Sequence, residues 1–204
     1  MKNRRIVRSS VLLAALMGAV STAPPAFAHV VTYYTELSGA AESPVNDSQG
    51  IGTATVTLDL DLITMHVQAS FSGLTGNTTN AHIHCCTVNP GTLTAGVATT
   101  TPTFTGFPSG VKSGTYDNLF DLTAASSYNP AFITANGGTV SGALNALVAG
   151  LDSGRAYFNI HSSSFGGGEI RGFLQVVPEP QTYALLLVGL GLMGWAAARR
   201  RRLG

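Results

Sequence analysis

Alternation of apolar and polar residues dominates the chain from position 30 onward. In "GTATVTLDL" (52–60), Ala54, Val56, Leu58 and Leu60 share one face, and Thr53, Thr55, Thr57 and Asp59 share the other. "ITMHVQASF" (63–71) repeats the pattern, with Ile63, Met65, Val67, Ala69 and Phe71 opposite Thr64, His66, Gln68 and Ser70. Period-two alternation marks strands, and the short connection near Asp61 makes the two a hairpin with one buried face. "VVTYYTEL" (30–37) predicts an earlier strand, and "AHIH" (81–84) another after the turn-rich "GLTGNTTN". A second hairpin follows in "GRAYFNIHSSSFGGGEIRGFLQV" (154–176). Ala156, Phe158 and Ile160 face the core there, matched by Ile170, Leu174 and Val176. Tyr157, Asn159 and His161 face the same way as Glu169, Arg171 and Phe173. A loop over 162–168 sets His161 opposite Glu169 and Asn159 opposite Arg171.

Two segments switch to helical grammar. "NPAFITANGG" offers Asn129 as N-cap, Pro130 in the first turn and Gly137 as the stop. "SGALNALVAGLDSG" places Leu144, Leu147, Val148 and Leu151 on one side. Residues 90–114 are rich in Pro, Gly and Thr and predict loop with a short strand or two. The expected fold is mainly β: an antiparallel, Greek-key-like β-sandwich with one or two short helices covering one end or edge.

The two ends carry a different pattern. "MKNRRIVRSS" is basic, "VLLAALMGAV" is apolar and too short to span a bilayer, and Ala26 and Ala28 fit a cleavage site. Residues 1–28 are therefore expected to be a signal peptide, leaving His29 first. At the other end stand Pro178, Glu179 and Pro180, then an apolar run from Thr182 to Ala198, then Arg199 to Arg202. The run is at the short end of what spans a membrane as a helix, and the arginines would hold its end in the cytoplasm. This three-part order resembles the PEP-CTERM sorting tail over residues 178–204. The resemblance implies transient membrane anchoring, then processing by an exosortase in a Gram-negative bacterium that makes exopolysaccharide. Residues 29–177 remain as one domain, long enough for a core.

Charge narrows the partners. The formal charge of the chain is +1. The bases, however, cluster in the two ends, and the middle keeps only Lys112, Arg155 and Arg171 against nine carboxylates. An acidic domain without a basic patch argues against nucleic acid as a partner.

The chemistry is concentrated in "HIHCC". His82 and His84 point to one face of a strand, roughly 6.5–7 Å apart along it, while Ile83 faces the core. His161 also ends a strand. Three imidazoles suit copper(II) or zinc(II), with Cys86 or a water in the fourth place and Glu169 orienting His161 from behind. The reading the sequence favours over a metal site is a structural network, with the same three histidines bonded to Glu169, Asn159 and backbone. Cys85 and Cys86 are the only cysteines. A vicinal disulfide is favoured for them, beside metal ligation, one free thiol, or an intermolecular bridge. His66 reads as solvated. Asp59 and Asp61 read as a solvated turn, or at most a weak calcium site. No G-x-S-x-G elbow accompanies Ser162 to Ser164, and Gly166 to Gly168 lack the lysine of a phosphate loop. Nothing in the sequence compels an enzyme.

"AYFNIHSSSFGGGEIRGFL" and "TLDLDLITMHVQASFSGLTGNTTNAHIH" resemble the closing and earlier halves of the CHRD domain, the module named after chordin. The resemblance implies a β-rich sandwich and an extracellular setting, and it implies no particular reaction. An H-x-H strand in a secreted sandwich is also similar to copper/zinc superoxide dismutase, though the rest of that family's histidine and aspartate set is missing. Three functions follow as expectations. The first is an exported binding or structural module of the cell surface or exopolysaccharide matrix of a biofilm. Its partners would be signal peptidase, exosortase, and polysaccharide or surface proteins. The second is a secreted copper- or zinc-binding protein using His82, His84 and His161. The third is a metal oxidoreductase.

Overall fold

A computed structural model describes residues 29–178, 186–193 and 195. The expected signal peptide, Glu179, Pro180 and the terminal arginines lie outside these residues, as do Thr182 to Leu185, Gly194 and Ala196 to Ala198 of the apolar run. Within that run, residues 186–193 are helical and largely exposed. No helix among the described residues is long and apolar enough to cross a membrane.

The first hairpin forms as its alternation predicts. Strands β1 (Val30–Ser38), β2 (Ile51–Asp59) and β3 (Thr64–Ser72) pair antiparallel over their full lengths. Ala54, Val56, Leu58, Met65, Val67, Ala69 and Phe71 are buried on one face. Leu60 and Ile63 depart from the pattern. The chain turns at Asp59, whose Oδ1 accepts from the Asp61 and Leu62 amides, so Leu60 swings outward. Ile63 takes a positive φ and only packs against the core edge. This turn uses Asp59 as a cap, and His29 Nδ1 lies 3.3 Å from Asp61 Oδ1.

β4 (Thr78–His84), β6 (Tyr157–Ser162) and β7 (Ile170–Phe173) form the other half, and with β5 (Gly114–Asp121) beside β3 the order is β4-β6-β7-β1-β2-β3-β5. The short β8 (Gln175–Val176) also pairs with β1, at Tyr33 and Tyr34. β7 meets β1 only at Ser38–Arg171, so the sheet curls there and its halves face each other across one core. Phe104 bridges them, stacked on Phe158 at 5.7 Å and against Phe120 at 5.3 Å. The fold is thus mainly antiparallel β with few short helices, as expected.

β5 (Gly114–Asp121) was not expected as a strand. Its alternation is broken, because Leu119 faces solvent while Asn118 turns partly inward. Register with β3 and the two buried aromatics Tyr116 and Phe120 hold it in place. The Pro/Gly/Thr-rich segment before it covers the edge of β4, where Cys85, Ala98 and Phe104 backbone amides bond to Gly96, Ile83 and Ala81. A covered edge strand presents no unpaired ladder to other chains.

α1 (Pro130–Ala135) is capped by Asn129, whose side chain accepts from the Ala131 amide. α2 (Val140–Asp152) buries Ala143, Leu147, Gly150 and Leu151, a stripe rotated from the expected one. Leu144 and Val148 only flank it. The rotation has a steric cause. Gly150 lies directly on the sulfurs of Cys85 and Cys86, and only a residue without Cβ fits that approach. Val176, expected on the apolar face, is exposed on the two-residue β8.

Candidate metal centre

His82, His84 and His161 are brought together. β4 and β6 are adjacent, with His82 opposite Asn159, His84 opposite Tyr157 and Asn80 opposite His161. This places the three rings on one face, with centroids 5.2–5.8 Å apart. One ring nitrogen from each lies within 4.8 Å of the others.

The outer nitrogens fix the tautomers. His82 Nε2 lies 2.5 Å from the Pro102 carbonyl, His84 Nδ1 2.9 Å from Ala95 O, and His161 Nδ1 3.0 Å from Gly166 O. A carbonyl only accepts, so each of these nitrogens carries the proton and donates. Burial lowers all three imidazole pKa values below the ordinary range. His84 falls to about 4, and the positive Arg171 and its neighbouring rings add to the effect. The rings are therefore neutral at pH 7, and the inner nitrogens are bare lone pairs.

Those inner atoms, His82 Nδ1, His84 Nε2 and His161 Nε2, are buried without a hydrogen-bond partner. Three acceptors cannot bond one another, so the rings do not form a closed network among themselves. A buried polar group left unpaired costs roughly 1–3 kcal/mol. The donor set fits a borderline cation, because neutral imidazole is the common ligand for zinc and copper and its second nitrogen is held by carbonyls.

The site is rigid from behind. His84 stacks on Tyr157 at 4.8 Å with the rings 4° from parallel. Arg171 caps the Tyr157 ring at 4.7 Å, and its Nε donates to the Ala41 carbonyl. Arg171 and Glu42 are both buried, with Nε and Oε2 3.7 Å apart.

Two expected members are elsewhere. Glu169 does not orient His161: Ser48 Oγ and the amides of Thr75 and Gly76 donate to its carboxylate. Burial raises its pKa, but hydrogen bonds from Ser162, Ser48, Thr75 and Gly76 outweigh that and hold it below the ordinary value. The carboxylate thus clamps the β3–β4 turn, and the Gly166 carbonyl orients His161 instead. Cys86 does not continue the histidine face. β4 ends at His84, and Cys86 is joined to Cys85 in a vicinal disulfide beneath α2. Its sulfur is consumed and is not a thiolate ligand. His66 lies apart on the outer face, with Nε2 2.7 Å from Asp117 Oδ1.

Sequence reasoning missed Glu42 and the three carbonyls. Ala95 and Pro102 act through backbone atoms of an irregular segment, for which side-chain patterns carry no signal. Glu42 follows a 3-10 turn at Gly39–Ala41 and is brought in only by β1 packing near β7.

Burial raises the Glu42 pKa from 4.5 to about 7, against the lowering influence of Arg171. The folded state therefore holds a proton that the unfolded chain releases above about pH 4.5. Stability tied to Glu42 is full below that pH and is lost as pH rises to about 7, by about 3 kcal/mol. The three histidines pull the opposite way, so the comparison needs a variant. In metal-free protein, wild type and Glu42→Gln should unfold alike in urea near pH 4.5, and the variant should gain on wild type up to pH 7. A constant difference across that window would contradict the assignment.

A model of the CHRD domain matches residues 33–174, and a model of the PEP-CTERM protein-sorting motif matches residues 176–202. No curated protein and no solved structure matches the chain.

Proposed function

We propose that this chain, which belongs to the CHRD domain family, holds one copper or zinc ion between His82, His84 and His161 once it has been exported. The PEP-CTERM motif implies an exported protein processed by exosortase in a Gram-negative bacterium. Removal of a signal peptide at residues 1–28, separation of the 29–177 domain from the 178–204 tail, and the final site at the surface or in the matrix are parts of the same reading. So is a membrane-spanning stage of the tail.

The single observation that carries the metal reading is the convergence of three buried, unpartnered ring nitrogens on one point. The ion would supply Lewis acidity, and for copper a one-electron couple. The protein residues hold the rings neutral, aligned and partly shielded from water. Metal content of the full chain, purified from the envelope without a histidine tag, tests this. Near-stoichiometric copper or zinc that disappears in the double variant His82→Ala, His84→Ala is expected. A folded wild-type chain that stays metal-free after loading and dialysis would end the proposal.

A second reading, a matrix-binding module, has its own support. A groove of about 840 Å³ crosses the β1-β2-β3-β5 half, where the hydroxyls of Ser38, Thr53, Ser70 and Thr115 alternate with the apolar Leu37, Ile51 and Phe71. Hydroxyls beside apolar faces suit a sugar ring, and polysaccharide binding there would be indifferent to chelator.

A further inference from the structure

The vicinal disulfide Cys85–Cys86 begins at the residue after His84, the last of β4. α2 lies across it. The Ala146 carbonyl is 3.4 Å from Cys86 Sγ and 3.9 Å from Cys85 Sγ, and one turn later a Cβ on Gly150 would collide with both sulfurs. Helix backbone therefore closes the space around the pair, and it yields less readily than a side chain. Cys85 is 5 % exposed, while Cys86 is only partly buried and reachable by a reagent. From the other side the pair is tied to the strap that orients His84. The Cys85 amide donates to the Gly96 carbonyl, and the adjoining Ala95 carbonyl accepts from His84 Nδ1. Tyr157, the ring stacked on His84, donates its hydroxyl to the same Ala95 carbonyl.

Two unbonded sulfurs stand further apart than two bonded ones. The reduced pair needs room that Ala146 and Gly150 do not leave, and a close-packed site relieves overpacking by shifting backbone. Cys85 is the part that carries the strap with it. Resting on the metal reading above, we infer that the Cys85–Cys86 bond is a redox lock on the histidine centre. Closed, it holds the 95–96 strap and the His84 ring in place; open, it releases them and weakens the hold on the ion. Closure follows export, because thiols persist in the cytosol and disulfides form outside it. The Cys86 thiolate attacks a disulfide oxidant and expels one of its sulfurs as a thiol. The Cys85 thiolate then attacks Cys86 Sγ and expels the other. Two protein thiols lose two protons and two electrons, and the oxidant becomes a dithiol. The centre thus takes its ion after export rather than during synthesis.

The test uses the full chain, oxidised or reduced with a water-soluble trialkylphosphine under argon, and cobalt(II) as the probe. The phosphine becomes its oxide with oxygen from water as the disulfide becomes two thiols, which a thiol titration counts. Reduction should weaken cobalt binding at least tenfold, read from the visible d–d bands. A second readout needs no metal. The His84 Nδ1–H resonance, protected by Ala95 in the oxidised chain, should be lost to exchange in the reduced one. The double variant Cys85→Ala, Cys86→Ala has no bond to open, so phosphine should change neither its cobalt affinity nor its His84 resonance. A reduced wild-type chain that keeps its affinity and its His84 resonance would overturn the lock while leaving the three-histidine centre standing. So would an equal loss of cobalt in the double variant, which would assign the loss to the phosphine. Failure of the oxidised chain to take up cobalt would instead remove the centre, and the His84 resonance would still decide whether the disulfide holds that ring.

Discussion

Chelation of the exported protein should lower its stability by about 4 kcal/mol, relative to protein with free ion at 1,000 times its dissociation constant. For a domain of this size that corresponds to a fall in melting temperature on the order of 10 °C. The expected effect is large because the proposed ion would bind only the folded arrangement. His82 and His84 come from β4 and His161 from β6, and their rings converge only once those strands pair. His84→Ala should remove the chelator effect, since two imidazoles remain and the Tyr157 stack is lost. His66→Ala should leave it intact, because that ring lies outside the centre with Asp117. Differential scanning calorimetry with and without EDTA separates these cases. A wild-type melting temperature unmoved by chelator would show that no bound ion contributes to stability.

Gly172→Ala is the substitution with the largest expected structural cost. Gly172 lies in β7 opposite Phe158, and a Cβ there would collide with the Glu36 carbonyl and Thr35 Oγ1 of β1. Backbone cannot yield as a flexible side chain does, so the strands must separate where the sheet curls. A loss of about 3 kcal/mol is expected, the upper range of overpacking costs. The neighbouring Arg171 would shift with β7, disturbing the Tyr157–His84 stack and weakening metal retention as well. Gly166→Ala serves as the control, because a Cβ there meets nothing within 4 Å. Urea unfolding should place the control within roughly 0.5 kcal/mol of wild type. A Gly172→Ala protein as stable as wild type would contradict the close β1–β7 approach.

The alternating strands were legible because burial on one face leaves a period of two in the sequence. β2, β3 and the β6–β7 hairpin came from that signal, and so did the Asn159–Arg171 register. The helices were legible from caps and stops, as with Asn129 and Gly137. β5 was not, because Leu119 and Asn118 invert the alternation and long-range pairing with β3 overrides it. The stripe of α2 was misplaced because contact with Cys85 and Cys86 is set by tertiary packing at Gly150.

The site divides along the same line. H-x-H on a strand gave His82 and His84, and the end of a matched strand gave His161. Glu169 sits in the register position expected for a partner, but its carboxylate turns toward the amides of Thr75 and Gly76, which outcompete a neutral ring. The strand stops at His84, so the alternation that put Cys86 on the histidine face fails one residue later. Glu42, Ala95 and Pro102 act across the fold, and no local pattern announces them.

X-ray absorption spectroscopy of the metal-loaded full chain tests the three-histidine centre most directly. The account predicts nitrogen or oxygen neighbours at about 2.0–2.1 Å, with the multiple scattering of three imidazoles and no sulfur. A sulfur neighbour at about 2.3 Å, or fewer than two imidazoles, would contradict it.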